Sequence, residues 1–220
     1  MEAFVNGELF ERIGRRIDGY RRAMIDLQTA LTAIPALGPE NGGDGEHRKA
    51  AFLTEYLGRS GFTDIRQFPA PDERVSSGTR PNIVVIVPTA GPTTDTTWIL
   101  THMDIVPPGD PALWETDPYQ VHLKADRICG RGVEDNQQDL VASLFAAKAI
   151  LDEGVKTPRN IGLVFVADEE TSSRWGLAYL LAHPQNPFRK TDLIVVPDGG
   201  NEEGSLIEIA EKSILWLRVH

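Results

Sequence analysis

Apolar residues recur along the first part of the chain at steps of three and four. Between residues 9 and 31 they are Leu9, Ile13, Ile17, Tyr20, Met24, Leu27 and Leu31, the stripe of one amphipathic helix. The proline- and glycine-rich stretch PALGPENGGDGE (35–46) ends it, and Phe52, Tyr56 and Leu57 mark a second helix over 47–59. Short apolar runs without helical spacing follow: NIVVIVP (82–88), TWILTH (97–102), NIGLVFVAD (160–168) and DLIVVPD (192–198). These predict strands, and QDLVASLFAAKAILDEG (138–154) and SRWGLAYLLAHP (173–184) predict helices between them. Strands alternating with helices predict an α/β fold, a mixed, largely parallel sheet flanked by helices. FPAPDERVSSGTRP (68–81) and TAGPTTDTT (89–97) have the composition of surface loops. SLIEIAEKSILWLRVH (205–220) is strand-like to its last residue, where a strand would lack its sheet partner. It predicts that the chain is the N-terminal part of a longer protein.

Composition narrows the class. The chain has 220 residues, 41% hydrophobic and 25% charged, with a formal net charge of −10. That charge disfavours nucleic acid and anionic membranes as partners. No apolar run approaches the ~18 residues of a membrane span. MEAFVNGELFERIGRRIDGY has charges throughout and no apolar core, so it does not read as a signal peptide, and a cytoplasmic location is expected. The single cysteine, Cys129, excludes an internal disulfide framework, fits a reducing compartment and is expected to be a small buried hydrophobe.

The candidate chemistry lies where the apolar runs stop. WIL leads to His102 and Asp104, LVFVA to Asp168, Glu169 and Glu170, and LIVVP to Asp198. In open α/β sheets ligands gather at the carboxyl ends of strands, so these groups should converge in one crevice. Asp135, in GRGVEDNQQ, precedes a predicted helix, and Gly130 and Gly132 let that backbone approach a site closely. Singly, each acid has a structural explanation as a cap or a solvated loop residue. Together they would repel unless a cation sits among them. Nitrogen and carboxylate ligands without thiolates suit zinc, with cobalt or manganese as substitutes. His102 can bind through one ring nitrogen while Asp104 holds the other, and Asp135 could bridge two ions. Of the adjacent glutamates, one can bind metal while its neighbour moves the proton of an attacking water.

THMDIVP, GRGVEDNQQ, ADEETSS and VVPDGG, in this order, resemble the dinuclear zinc peptidase family of carboxypeptidase G, aminoacylase, acetylornithine deacetylase and succinyl-diaminopimelate desuccinylase. The similarity extends to IPALGPENGGDGE near the start and AEKS near the end. The resemblance implies two zinc ions, with His102 and Asp198 on one, Glu170 on the other and Asp135 bridging. It makes Glu169 the general base and acid, Asp104 the orienting partner of His102, and the Asp135–Asn136 peptide bond cis. The implied activity is hydrolysis of an amide or peptide bond in an N-acyl amino acid or small peptide. Two departures stand out. Gln137 and Gln138 occupy places where the family often has lysine and glycine. The family also completes its second zinc site with a late histidine and inserts a lid domain that binds the substrate carboxylate and often dimerises. Residues 1–208 are therefore expected to be catalytic domain and 209–220 the start of a strand leading to an absent lid, with a homodimeric full-length protein. The piece alone would then be inactive. His122, His183 and His220 fall in no matching motif and are expected to be surface or structural. The competing expectations are a dinuclear aminopeptidase of another family and a non-catalytic metal-binding scaffold.

Overall fold

The computed structural model describes residues 7–88, 91, 93–201, 203 and 205–209. Its helices are α1 (Gly7–Asp18), α2 (Arg21–Thr32), α3 (His47–Arg59), α4 (Gln138–Asp152) and α5 (Leu177–Ala182). Its strands are β1 (Asp64–Pro71), β2 (Thr79–Val87), β3 (Thr96–His102), β4 (His122–Lys124), β5 (Arg127–Cys129), β6 (Asn160–Val166) and β7 (Leu193–Val195). Five strands form one sheet in the order β1-β2-β6-β3-β7. β3 pairs parallel with β6 and β7, whereas β2 pairs antiparallel with β1 and β6. Only β2 therefore runs against the others, and the expected mixed, largely parallel sheet is present.

Strand alternation divides the core in two. Ile83, Val85 and Val87 of β2, with Leu163 and Phe165 of β6, pack with Leu27 and Leu31 of α2, Leu53 and Leu57 of α3 and Leu144 of α4. The alternate residues Val84, Val164 and Val166 join Trp98, Leu100 and Leu180 of α5 on the opposite face. Covering both faces explains why these strands read as continuous apolar runs rather than alternating ones. Trp98 is register partner to Gly162. A Cβ at Gly162 would lie 2.0 Å from Trp98 Cε3, so the indole occupies the space a side chain would need.

Four expectations are corrected. The stripe over 9–31 belongs to two helices, because the chain breaks at Gly19, a poor helix former, before Tyr20 caps α2. Tyr20 packs on Phe145 at 5.2 Å between ring centroids and donates its hydroxyl to Asp152, so the apolar face continues through the break. FPAPDERVSSGTRP is not all loop. Phe68–Pro71 end β1, and its register with Thr79–Asn82 makes the segment a strand connection. Pro69 and Pro71 are tolerated because β1 is an edge strand. Cys129 is exposed, since it ends the separate β4–β5 hairpin instead of entering the core. Finally, residues 205–209 carry no strand, and Leu206, Ile207 and Ile209 are exposed. The rest of that strand-like run, 210–220, lies outside the described residues, as does His220. Among the described residues no helix is long and apolar enough to cross a membrane.

Candidate metal centre

The parallel strands β3, β6 and β7 end at the same sheet edge, and the candidate residues follow those ends. His102 closes β3 and is buried. Its Nε2 lies 3.0 Å from Asp135 Oδ1, 3.7 Å from Asp198 Oδ1 and 3.9 Å from Glu169 Oε2. One ligand atom from each of His102, Asp135 and Asp198 can be chosen so that all lie within 4.8 Å of one another. Asp135 is open on its outer side, its side chain 60% exposed. It sits in a π-helical turn, Val133–Gln137, before α4, and the Asp135–Asn136 peptide bond is cis. Glu170 stands outside the triad, although the Asp135 charge acts on its carboxyl.

Three buried polar groups hold this arrangement. The other His102 nitrogen, Nδ1, lies 3.0 Å from the Asp104 backbone carbonyl and 3.5 Å from its carboxylate. The Asp104 carboxylate accepts the backbone N–H groups of Glu169 and Glu170 at 3.1 and 3.0 Å. One buried acid thus orients the histidine and pins both glutamates. Asn136 is the second. Its side-chain oxygen accepts the His102 N–H at 3.3 Å, and its Nδ2 donates to Asp198 Oδ1 at 2.6 Å. Spacing alone did not single it out. The only signal was an amide, donor and acceptor in one group, beside the proposed bridging acid. Asp168 is the third. It does not join the triad but points inward, accepting from Thr171, from Ser172 Oγ at 2.7 Å and from the Trp175 N–H at 3.1 Å. Its backbone N–H reaches Glu46, which is paired with buried Arg80.

Charge is crowded here. Burial alone would lower the His102 pKa, but Asp104, Asp135 and Asp198 outweigh it and push it up to about 12. Burial raises the Glu170 carboxyl, and Asp135 adds to the effect, bringing it to about 7. Burial raises Glu169 above the ordinary carboxylate range as well, with Asp198, Asp104 and Asp135 opposing its ionisation and His102 favouring it. Asp139 rises to about 6 through burial and the charge of Asp198. Carboxylates this close oppose one another's ionisation, and a cation among them would offset that repulsion, so the donor set fits a cation. One imidazole with several carboxylates and no thiolate is a zinc-type set.

Residues 98–211 match the family model for peptidase family M20/M25/M40. The chain belongs to this family. Over 201 residues it is 41% identical to an uncharacterized metallohydrolase of Methanococcus maripaludis, covering 88% of this chain and 48% of that one. A succinyl-diaminopimelate desuccinylase of Methylobacterium sp. (strain 4-46) is 28% identical over 193 residues, 86% of this chain and 46% of the relative. A similar fold is seen in human carnosine dipeptidase 1, with a TM-score of 0.73 at 22% identity over 87% of this chain and 41% of that one. The chain spans about half the length of the curated relatives it matches. The matched segment includes all three residues of the triad, His102, Asp135 and Asp198.

Proposed function

We propose that this chain is the metal-binding part of an M20 hydrolase that cleaves an amide or peptide bond in an N-acyl amino acid or small peptide. The observation that carries this reading is the placement of Asp135, Asp198 and Glu169 around His102 Nε2, within 3.0 to 3.9 Å. His102 and Asp198 would hold one ion and Glu170 the other, with Asp135 shared. Zinc, or cobalt or manganese in its place, would supply polarisation of the scissile carbonyl and make water acidic near neutral pH. Glu169 takes the proton of the attacking water and returns it to the leaving amine nitrogen. Its raised pKa keeps it a base that can also release that proton. Asp104 keeps His102 in the ligating orientation and fixes the backbone from which Glu169 and Glu170 project. Residues 1–208 form the catalytic domain and 209–220 lead towards a lid through which a cytoplasmic homodimer forms.

The test is Glu169→Gln in the full-length protein, assayed on N-acetyl, N-succinyl and dipeptide substrates beside metal analysis. Turnover should fall about 10²–10⁴-fold, the usual contribution of general acid–base catalysis, while two metals stay bound. Wild-type turnover in this variant would remove Glu169 as the proton shuttle, whereas no turnover of any of these substrates by the metal-loaded wild type would favour the non-catalytic scaffold.

A further inference from the structure

Glu169 and Glu170 sit on the loop Ala167–Gly176, between the end of β6 and the start of α5. Its two ends touch. A Cβ at Gly176 would lie 2.0 Å from the Ala167 carbonyl oxygen, so a glycine is what lets them meet. Inside the loop, the Asp168 carboxylate accepts from the hydroxyls of Thr171 and Ser172 and from the Trp175 N–H. The Ser173 N–H also donates to the Asp168 carbonyl at 2.6 Å. A loop tied to itself in this way moves as a unit. Whatever places its ends therefore decides where Glu169 stands relative to His102.

Asn82 holds both ends. The backbone ladder between β2 and β6 stops at Ile83 and Phe165. Asn82 precedes Ile83 on β2, is fully buried, and carries the pairing further with its side chain. Its Oδ1 accepts the Ala167 N–H at 3.0 Å, where the loop begins. Its Nδ2 donates to the Trp175 carbonyl at 2.8 Å, where the loop closes, and to the Phe68 carbonyl of β1 at 3.1 Å. One amide thus uses its acceptor and both donors, a set that aspartate and leucine of similar size lack. Trp175 is also gripped from outside. Its indole N–H donates to the Pro71 carbonyl at 3.0 Å, and the guanidinium carbons of Arg74 and Arg174 lie 4.0 and 4.9 Å from its ring centroid.

We propose that Asn82 is a positioning residue for the hydrolysis: by clasping both ends of the loop it holds the Glu169 carboxylate in its place, 3.9 Å from His102 Nε2. A misplacement of about 1 Å in a reacting group can cost about 10²-fold in rate, so a clasp remote from the reacting atoms can still govern turnover. The proposal rests on the hydrolase reading above for the role of Glu169, but the clasp itself can be measured without turnover.

The experiment uses the metal-loaded full-length protein. Asn82→Asp keeps the acceptor for Ala167 and loses both donated bonds. With the best amide substrate, kcat should fall at least ~10-fold while KM and metal content stay near wild type. In a Glu169→Gln background the same change should alter the residual kcat by less than about 2-fold, because a base already removed cannot be misplaced. A residue that merely supports the fold would lower both backgrounds alike. Amide hydrogen exchange followed by mass spectrometry reads the clasp directly. The 167–176 peptide should exchange at least ~10-fold faster in Asn82→Asp, with exchange in α3 unchanged. Trp175→Phe removes only the bond to Pro71 and should loosen the same peptide to a smaller degree, which covers the case in which a buried carboxylate at 82 disturbs the fold. Unchanged kcat in Asn82→Asp, an equal loss in both backgrounds, or wild-type exchange of 167–176 in both variants overturns the inference. Turnover of no substrate by wild type would count against the hydrolase reading, and exchange would still decide whether Asn82 sets the loop.

Discussion

Arg80→Met should expose how the Glu169–Glu170 loop is supported. Arg80 is fully buried and reaches the Glu46 carboxylate with two nitrogens, Nε at 2.6 Å and the terminal Nη2. Its Nη1 lies 3.8 Å from both Asp72 and Asp168. The three acids do not depend on it equally. Asp72 keeps Arg74 at 2.8 Å, and Asp168 keeps two hydroxyls and a backbone N–H. Glu46 keeps the Asp168 N–H at 3.3 Å, its own backbone N–H and the neighbouring charge of Lys49, but no other side-chain hydrogen bond among the described residues. The variant therefore strands one buried carboxylate, for which removing a partner costs about 3–5 kcal/mol. Burial already raises the Glu46 pKa against the opposing effect of Arg80, and losing Arg80 raises it further. A group with a raised folded pKa is not penalised below its unfolded value and loses stability as pH climbs through the folded one. The deficit of Arg80→Met should thus be about 3–5 kcal/mol at pH 8, where Glu46 is forced to ionise. It should shrink to about 1–2 kcal/mol near pH 5, where only lost hydrogen bonds remain. Urea unfolding followed by circular dichroism at both pH values measures this, and adding Glu46→Gln should recover most of the loss at pH 8. A deficit below about 1 kcal/mol, or one that is the same at both pH values, would refute the reasoning.

Asp104→Asn replaces one acceptor oxygen with an NH₂ group that cannot accept from Glu169 or Glu170, so metal affinity should fall about 10–100-fold in chelator competition; unchanged affinity would remove its orienting role. Gly162→Ala drives a methyl into the Trp98 ring and should cost at least ~1–3 kcal/mol in the same unfolding assay, with Trp98→Leu relieving it. Lys49 is buried beside Asp104 and Glu46 with no hydrogen-bond partner on Nζ among the described residues, and burial pulls its pKa down from 10.5 to about 8. The unfolded chain then binds the extra proton between those values, so stability should rise with pH from about 8 to 10.5, and Lys49→Met should lack that rise. Equal slopes in the two proteins would mean that Lys49 is not buried as a charge.

Much of this protein is local in origin and so legible in the chain. The apolar runs through Val84, Leu100 and Val164 are strands because β-branched and aliphatic residues cluster there, and their length implies cover on both faces. The acids after each run are legible for the same reason, since a parallel sheet brings strand ends to one edge. Local pattern misled where a neighbour decided the outcome. Pro69 and Pro71 read as loop until β2 supplies their partner, and the 9–31 stripe reads as one helix until Tyr20 meets Phe145. Cys129 depends on whether its hairpin joins the core, which composition does not encode. Which of the neighbouring acids faces the triad was decided by tertiary structure. Asp168 and Glu169 are consecutive, yet Asp168 adopts φ +60° and turns into the Arg80–Glu46 network while Glu169 faces His102. Lys49 and Arg80 carry no motif, and the role of Asn136 is not written in GRGVEDNQQ, because a buried polar group is defined by the partners that enclose it. Those partners come from distant segments, Asp168 for Arg80 and Asp198 for Asn136, and only folding brings them together.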